Sequence, residues 1–104
     1  MLSLQFSYIG NVKASYYGGY FHGRRTASGE IYDKEAMTTA CNDLPFGTLL
    51  WVIYGDKSVI VRVTDTGGFK KYGRYLDLSE GAMRKLGGIE AGVIKVEVYK
   101  LNNK

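Results

Sequence analysis

Alternating hydrophobic and polar positions run through much of the chain and predict short β-strands. The alternation is clearest from Val59 to Val63, where every second residue is valine, and again in Val93–Leu101 (VIKVEVYKL). A period of two turns one face of a strand to the core and the other to solvent. Looser alternation in Leu2–Ile9 predicts a first strand or an ordered N-terminal arm, and Val12–Tyr17 is predicted to be a strand.

One strand-length segment departs from this alternation. Thr48–Tyr54 (TLLWVIY) is almost continuously apolar, which predicts a strand that is buried on both faces. The dipeptide Gly55-Asp56 follows it and predicts a tight hairpin into the valine-rich strand. The tally is five or six short strands without a βαβ rhythm. Because open edges would be exposed in so small a protein, we expect the sheet to close into a barrel.

Two short helices are predicted between the strands. Lys34–Ala40 (KEAMTTA) can form one or two helical turns with Asp33 as the N-cap. Glu80–Leu86 can form a second helix with Ser79 as its N-cap. The pair Gly87-Gly88 follows and is typical of a helix C-terminus.

Length and composition indicate one small domain over residues 1–104, with 1–11 as a possible arm or first strand. Fourteen glycines, one proline and nine tyrosines favour a turn-rich β protein. The net charge of +4 favours an anionic partner, such as nucleic acid, a membrane surface or an acidic wall polymer. A mildly basic solvated surface is the alternative. No run of about 18 apolar residues is present, so membrane insertion is not expected.

The most suggestive stretch for chemistry is the loop between Asp65 and Asp77. It opens with Gly67-Gly68, which lets the backbone turn sharply or lets a ligand approach closely. One carboxylate on each side of such a break makes the loop a candidate site. The alternative is structural, with Asp77 accepting backbone N–H groups or capping the following helix.

Three strings in this order resemble the rare lipoprotein A family of double-psi β-barrels: GRRTASGEIYDKEAMTTACNDLPFGT, VIVRVTDTGGF and RYLDLSEGAMRKLG. The resemblance extends from Ala14 to Val98. It implies a mainly β fold, a six-stranded double-psi β-barrel with one or two short helices. Membrane-bound lytic transglycosylase A, three-aspartate cell-wall domains and expansins share this barrel. The implied function is cleavage of peptidoglycan glycan strands by a lytic transglycosylase, without metal or cofactor.

The resemblance also assigns candidate catalytic acids. The acid of TASGE corresponds to Glu30, the aspartate after the central strand to Asp65, and that of DLS to Asp77. A lytic transglycosylase can use one acid twice, first to protonate the glycosidic oxygen and then as a base, whereas a hydrolase adds a second carboxylate. We expect Asp77 or Asp65 to shuttle the proton. Glu30 is the candidate for the assisting carboxylate or for the acid itself.

One position departs from the family. The histidine of its usual AAH string is replaced in Thr39-Ala40-Cys41. A thiol is a weak donor and cannot supply an imidazole, so this replacement bears directly on activity. As the single cysteine, Cys41 can form no internal disulfide, and we expect a buried small apolar side chain. His22 is the only histidine and lies in the FHG string before TASGE.

Substrate contacts are expected from aromatic and polar side chains around the two loops. Aromatic rings offer apolar faces to sugar C–H surfaces, and hydroxyls and cations can bind sugar hydroxyls and acidic groups. The candidate contacts are Tyr20, His22, Arg24, Thr26, Ser28, Cys41, Phe69 and Tyr72. Arg25, Lys70, Lys71 and Arg74 lie in the same regions and can meet acidic wall polymers or form a solvated face.

Three functions from different classes stay open. A peptidoglycan-cleaving enzyme comes first, and an expansin-like module that binds or loosens wall glycan without cleavage comes second. Nucleic-acid binding comes third because it has only the charge behind it and no motif. We expect a monomer that acts outside the cytoplasm or is phage-encoded. Met1–Gly10 lacks the pattern of a signal peptide, so an exported protein would have lost its leader or would use another route.

Overall fold

Six strands and one α-helix make up the computed structural model, which describes residues 4–103. The mainly β barrel expected from the sequence is confirmed. Short 3₁₀ turns at Gly19–Phe21 and Gly68–Tyr72 complete the structure. The elements are β1 (Leu4–Tyr16), β2 (Thr38–Ala40), β3 (Leu49–Tyr54), β4 (Lys57–Asp65), β5 (Arg74–Leu78), α1 (Glu80–Leu86) and β6 (Ile94–Asn103).

The strands close into a barrel in the order β1-β5-β2-β4-β3-β6. Two neighbouring pairs are parallel, β1 with β5 and β2 with β4, and the other four pairs are antiparallel. Closure gives each strand two hydrogen-bonded neighbours and so removes the free edges that an open sheet of this size would expose. No helix within residues 4–103 is long and apolar enough to cross a membrane.

The core fills the barrel with the alternating residues that the sequence pattern marks. Val61 and Val63 of β4 are fully buried, whereas Ile60 between the alternating valines is 48% exposed. Helix α1 packs over β4 and buries Met83 and Leu86 against the same core. The helix begins as predicted, since the Ser79 hydroxyl accepts a hydrogen bond from the Ala82 N–H at 3.1 Å.

The predicted first two strands form one strand. Tyr8 pairs with Tyr99 of β6 and Gly10 pairs with Val98, so the ladder skips one residue between them. Gly10 has a φ of 153°, which only glycine adopts easily. The strand therefore continues through the point where the sequence pattern breaks. The N-terminal residues of the predicted Leu2–Ile9 strand that precede residue 4 lie outside the described residues.

The helix predicted over Lys34–Ala40 is wrong. Asp33 starts only a turn: its carboxylate accepts from the Glu35 N–H at 2.9 Å, and its carbonyl from the Ala36 N–H at 3.0 Å. The chain then extends into β2, which lies between β4 and β5. Hydrogen bonding to both neighbouring strands stabilises the extended conformation. The β-branched Thr38 and Thr39 suit that strand, and tertiary pairing outweighs the weak helical preference.

The prediction that Thr48–Tyr54 is buried on both faces is also wrong. In β3, Leu50 and Val52 are fully buried, whereas the intervening Trp51 and Ile53 are only half-buried. Only the inner face of a barrel strand meets the apolar core. The apolar side chains on the outer face of β3 therefore remain partly exposed and contact other surface residues. Trp51 packs there against the ring of Phe6, with centroids 5.2 Å apart. The Gly55-Asp56 hairpin between β3 and β4 is as predicted.

A candidate active-site cleft

A β-bulge in β4 sets the direction of Asp65. Thr39 of β2 pairs with Val63 and Ala40 pairs with Asp65, so Thr64 is the extra residue on β4. Strict alternation would turn Asp65 inward with Val63. The extra residue reverses the alternation, as bulges do, and places Asp65 on the same face as Ala40 outside the main core.

The strand register brings the two aspartates to one level of the barrel. Ala40 pairs with Asp65 on one side and with Asp77 of β5 on the other. Ser15 of β1 extends this row because it pairs with Asp77. At a strand spacing of about 4.8 Å, the Cα atoms of the two aspartates are about 10 Å apart. Both carboxylates therefore face the same surface, from either side of a small alanine.

Three hydrogen-bond donors fix the Asp65 carboxylate. The N–H groups of Ala27 and Thr66 each donate to Oδ1 at 2.9 Å, and the Tyr17 hydroxyl donates to Oδ2 at 3.2 Å. Ala27 belongs to the TASGE string, so this loop is tied directly to the end of β4. Asp65 is consequently held in one orientation by groups from three separate parts of the chain.

Asp77 has a different environment. It is half-buried, and this burial is the largest cause that raises the pKa of its carboxyl group; the negative charge of Asp65 raises it further. The Ser15 hydroxyl, which donates to Oδ1 at 2.8 Å, and the charge of Arg74 act in the opposite direction. The net effect is a raised pKa. The raised pKa lets the Asp77 carboxyl group keep its proton to a higher pH than an ordinary aspartate, as a general acid requires.

Both aspartates line an open cleft of about 430 Å³. Its walls carry four aromatic rings, those of Tyr17, Phe21, Phe69 and Tyr72. Tyr17 is stacked on Tyr32 with centroids 4.5 Å apart, and burial raises the pKa of the Tyr17 hydroxyl, which keeps it a neutral donor. Tyr72 is 65% exposed, and the Lys71 ammonium and the Arg74 guanidinium each lie 5.3 Å from the centre of its ring. The cleft combines carboxylates with apolar ring surface, as a carbohydrate site requires.

Asn42 holds the loop that forms one wall of this cleft. Its side-chain N–H donates to the Gly67 carbonyl at 2.8 Å, and its side-chain oxygen accepts from the Gly67 N–H at 3.0 Å. A Cβ on Gly67 would approach the Phe69 ring to 3.0 Å. Neither Asn42 nor Ser15 was identified from the sequence, because each acts on a residue far along the chain and no local pattern marks the pairing.

Glu30 lies apart from the other two candidate acids. It forms a two-pronged ion pair with Arg62, at 2.5 and 2.9 Å, and the Arg62 hydrogen bonds lower the pKa of its carboxyl group. It is not among the residues that line the cleft. Within the described residues, its carboxylate is therefore placed to anchor the TASGE loop to β4, and the structure does not bring it to the aspartate pair.

The remaining predicted contacts divide into two groups. Phe69 and Tyr72 line the cleft, as described above. Tyr20, His22 and Arg24 lie on an exposed loop outside it: the Arg24 guanidinium sits over the Tyr20 ring at 4.6 Å, and His22 Nδ1 accepts from the Lys34 N–H at 3.1 Å. Thr26 and Ser28 bond to each other at 3.0 Å inside the TASGE loop, so their hydroxyls shape that loop.

Cys41 is fully buried in the main core. This confirms the expectation of a buried small apolar side chain. It also corrects the inclusion of Cys41 among the substrate contacts, because a side chain without exposed surface cannot touch a ligand in the cleft. Within residues 4–103, no group of three or more His, Cys, Asp or Glu side chains is arranged to hold a metal ion.

We expect the Cys41 thiol to react with a thiol reagent at least roughly 100-fold more slowly in the native protein than in denaturant, because reaction requires an opening of the core. Absorbance of the released chromophore of a disulfide reagent measures both rates. A native rate equal to the denatured rate would show that position 41 is open to solvent.

The closed six-stranded barrel with two parallel strand pairs is the architecture of double-psi β-barrel proteins. The sequence profile that describes the lytic transglycolase family matches residues 9–98. The chain belongs to this family.

Similar proteins agree with that assignment. A probable endolytic peptidoglycan transglycosylase RlpA of Aquifex aeolicus is 50% identical over 90 residues, which cover 85% of this chain and 39% of the relative. The chain thus spans less than half the length of that relative. A mutant of Clavibacter michiganensis expansin in complex with cellohexaose has a TM-score of 0.71 at 23% identity. The match covers 94% of this chain and 51% of the expansin chain.

The same barrel also occurs in a Streptomyces papain inhibitor, with a TM-score of 0.70 at 22% identity, covering 93% of this chain and 94% of that one. At these identities, the likeness to the expansin and to the inhibitor shows the fold alone. The barrel therefore does not by itself define an activity, and any function must be argued from the cleft.

Proposed function

We propose that this protein cleaves the glycan strands of peptidoglycan as a lytic transglycosylase, with Asp77 as the acid and base. The observation that carries the proposal is the cleft itself: Asp77 has a raised pKa and faces the same aromatic-lined groove as the fixed Asp65 carboxylate. The relationship to proteins named as peptidoglycan transglycosylases supports the choice of substrate.

The chemistry needs one group that changes its protonation state. Protonated Asp77 donates its proton to the glycosidic oxygen, the C–O bond breaks, and positive charge develops on the sugar. Asp65, which is held by three donors, lies on the same face and stabilises that charge. The Asp77 carboxylate then takes the proton of the sugar's 6-hydroxyl, whose oxygen closes a 1,6-anhydro ring. Asp77 is protonated again and no water is consumed.

The cleft walls supply the binding surface in this proposal. Phe21 and Tyr72 are exposed and offer ring faces to sugar C–H surfaces. Lys71 and Arg74 line the same cleft and give it positive charge. The protein would work without metal or cofactor, as a monomer, outside the cytoplasm where peptidoglycan lies.

A second function deserves a test because one observation favours it. Among the described residues that line the cleft there is no histidine, and position 41, where the family usually has one, carries a buried thiol. A barrel that keeps its acids but lacks a proposed catalytic imidazole can act as an expansin-like module. It would bind or loosen wall glycan without cutting it.

Mass spectrometry of soluble products separates these functions. The protein is incubated with purified sacculi and with sacculi stripped of stem peptides, and pelleting of the protein with the sacculi is measured in parallel. Anhydro-ended sugars are the expected product. Reducing ends would indicate a hydrolase, in which Asp65 activates water. Binding without products would support the expansin-like module and contradict the transglycosylase.

A further inference from the structure

A second cavity of about 400 Å³ adjoins the cleft. Arg74 and residues of strands β1 and β6 line it, including Lys13 and Lys95, with Tyr75 and Lys70 at its sides. Arg74 also lines the cleft, so the two spaces share this residue. We call this second space the basic cavity.

The strand register explains the concentration of positive charge in the basic cavity. Arg74 of β5 pairs with Lys13 of β1, and Lys13 pairs with Lys95 of β6. We call these three residues the cationic row. They lie on three neighbouring strands at a spacing of about 4.8 Å. Like charges directly opposite one another on a sheet destabilise it, so the row carries a cost in the free protein that a bound anion would remove.

The protein's own acids leave most of this charge uncompensated. Lys70 at the edge of the basic cavity is paired with Asp43 at 2.8 Å. Glu97, two residues along β6 from Lys95, accepts hydrogen bonds from Tyr8 and from Asn11. Within residues 4–103, neither lysine of the cationic row forms an ion pair.

Arg74 likewise has no hydrogen-bond or ion-pair partner in the described part of the chain. Its side chain donates no hydrogen bond, and its buried Nε has no acceptor. Its guanidinium lies over the Tyr72 ring at 5.3 Å, and its charge acts on Asp77. An arginine that contacts only an aromatic ring and the charge of a nearby carboxylate keeps its N–H groups available to bind a planar anion.

We propose that the basic cavity is a subsite for an anionic group, a carboxylate or a phosphate, carried by the glycan strand that occupies the cleft. A strand that passes Arg74 leaves the aspartate pair and reaches the cationic row, where the positive charges of Arg74, Lys13 and Lys95 attract an anion. The identity of the carrier rests on the proposed function, whereas the charge of the ligand rests on the row.

The test compares two double variants that remove the same charge. Lys13→Gln with Lys95→Gln empties the cationic row except for Arg74. Lys57→Gln with Lys85→Gln removes two exposed lysines that line neither the cleft nor the basic cavity and is the matched control. Both are made in an Asp77→Asn background, so that binding is measured without cleavage. The probes are intact sacculi, sacculi freed of phosphate polymers by hydrofluoric acid, and a neutral chitin oligosaccharide.

We expect the row variant to bind sacculi about fivefold to tenfold more weakly than the control, as for two partly exposed ion pairs, with a weaker salt dependence. Binding of the neutral oligosaccharide should not change. A loss seen with both sacculus preparations assigns a carboxylate, and a loss seen only before acid treatment assigns a phosphate. Equal binding by row and control variants to all probes would overturn the subsite.

A thermal-shift measurement with inorganic phosphate separates this subsite from the proposed function. A ligand that binds only the native state raises its stability, so phosphate should raise the melting temperature of the control more than that of the row variant. If this holds while no variant binds sacculi, the anion subsite stands and the proposed carrier is wrong. Tighter binding of a single-stranded oligonucleotide than of sacculi at equal salt would overturn the glycan as the carrier.

Discussion

Asp77→Asn is expected to lower the rate of glycan cleavage by at least about 100-fold, because an amide can neither donate the proton nor take it back. The side chain keeps its size, and its Oδ1 can still accept the hydrogen bond from the Ser15 hydroxyl. Release of anhydro-ended sugars from sacculi, followed by mass spectrometry over time, measures the effect. Binding to sacculi should be retained.

Asp56→Asn is the matched control for this variant. Asp56 lies in the exposed hairpin between β3 and β4, outside the cleft, and its replacement removes the same charge. We expect it to keep full activity. Activity of Asp77→Asn within a few fold of the control would show that another group donates the proton. The variants Asp65→Asn and Glu30→Gln would then identify that group.

Asp77→Asn, which is expected to lower activity, is also expected to raise the stability of the fold at neutral pH. Because the pKa of Asp77 is raised in the folded protein, the native state holds this proton more tightly than the unfolded chain. Its contribution to stability is therefore fully present below the unfolded pKa of about 3.8 and is lost as the pH rises through the folded pKa. Asp77→Asn should raise the melting temperature at pH 7 and not at pH 3. An acid that costs stability where it is ionised is typical of a functional group.

Gly81→Ala is expected to destabilise the fold by about 1–3 kcal/mol, as overpacking does, even though alanine favours a helix by about 1 kcal/mol over glycine. Gly81 lies in the first turn of α1, and its N–H donates to the Lys34 carbonyl at 2.7 Å. A Cβ there would come within 2.8 Å of the Glu35 carbonyl oxygen. The clash is with backbone, so α1 must move away from the preceding turn. Urea denaturation measures the loss.

Gly18→Ala is the control for a glycine with room. Its φ is −77°, and a Cβ there would meet nothing within 4 Å. We expect a change below about 0.5 kcal/mol, as for an unconstrained surface site. Equal stability of Gly81→Ala and Gly18→Ala would mean that α1 is not packed against the Glu35 turn.

The sequence determined the elements that local chemistry specifies. The valine alternation of β4, the Ser79 cap of α1 and the Gly55-Asp56 hairpin depend on residues close together in the chain, and all three are present. The strings TASGE, DTGG and DLS also identified the family and two cleft acids, Asp65 and Asp77. The prediction for β2 was wrong because its three residues become a strand only through pairing with neighbours on both sides, and the burial of Thr48–Tyr54 was wrong because only one face of a barrel wall meets the core.

Only the tertiary structure decided how the site is assembled. The bulge at Thr64 turns Asp65 out of the core, and Asn42 holds a loop 25 residues away. The cationic row of Arg74, Lys13 and Lys95 exists because barrel closure sets β5, β1 and β6 side by side. Register between distant strands leaves no periodic trace in a sequence, since it is fixed by closure of the whole barrel and not by any one segment.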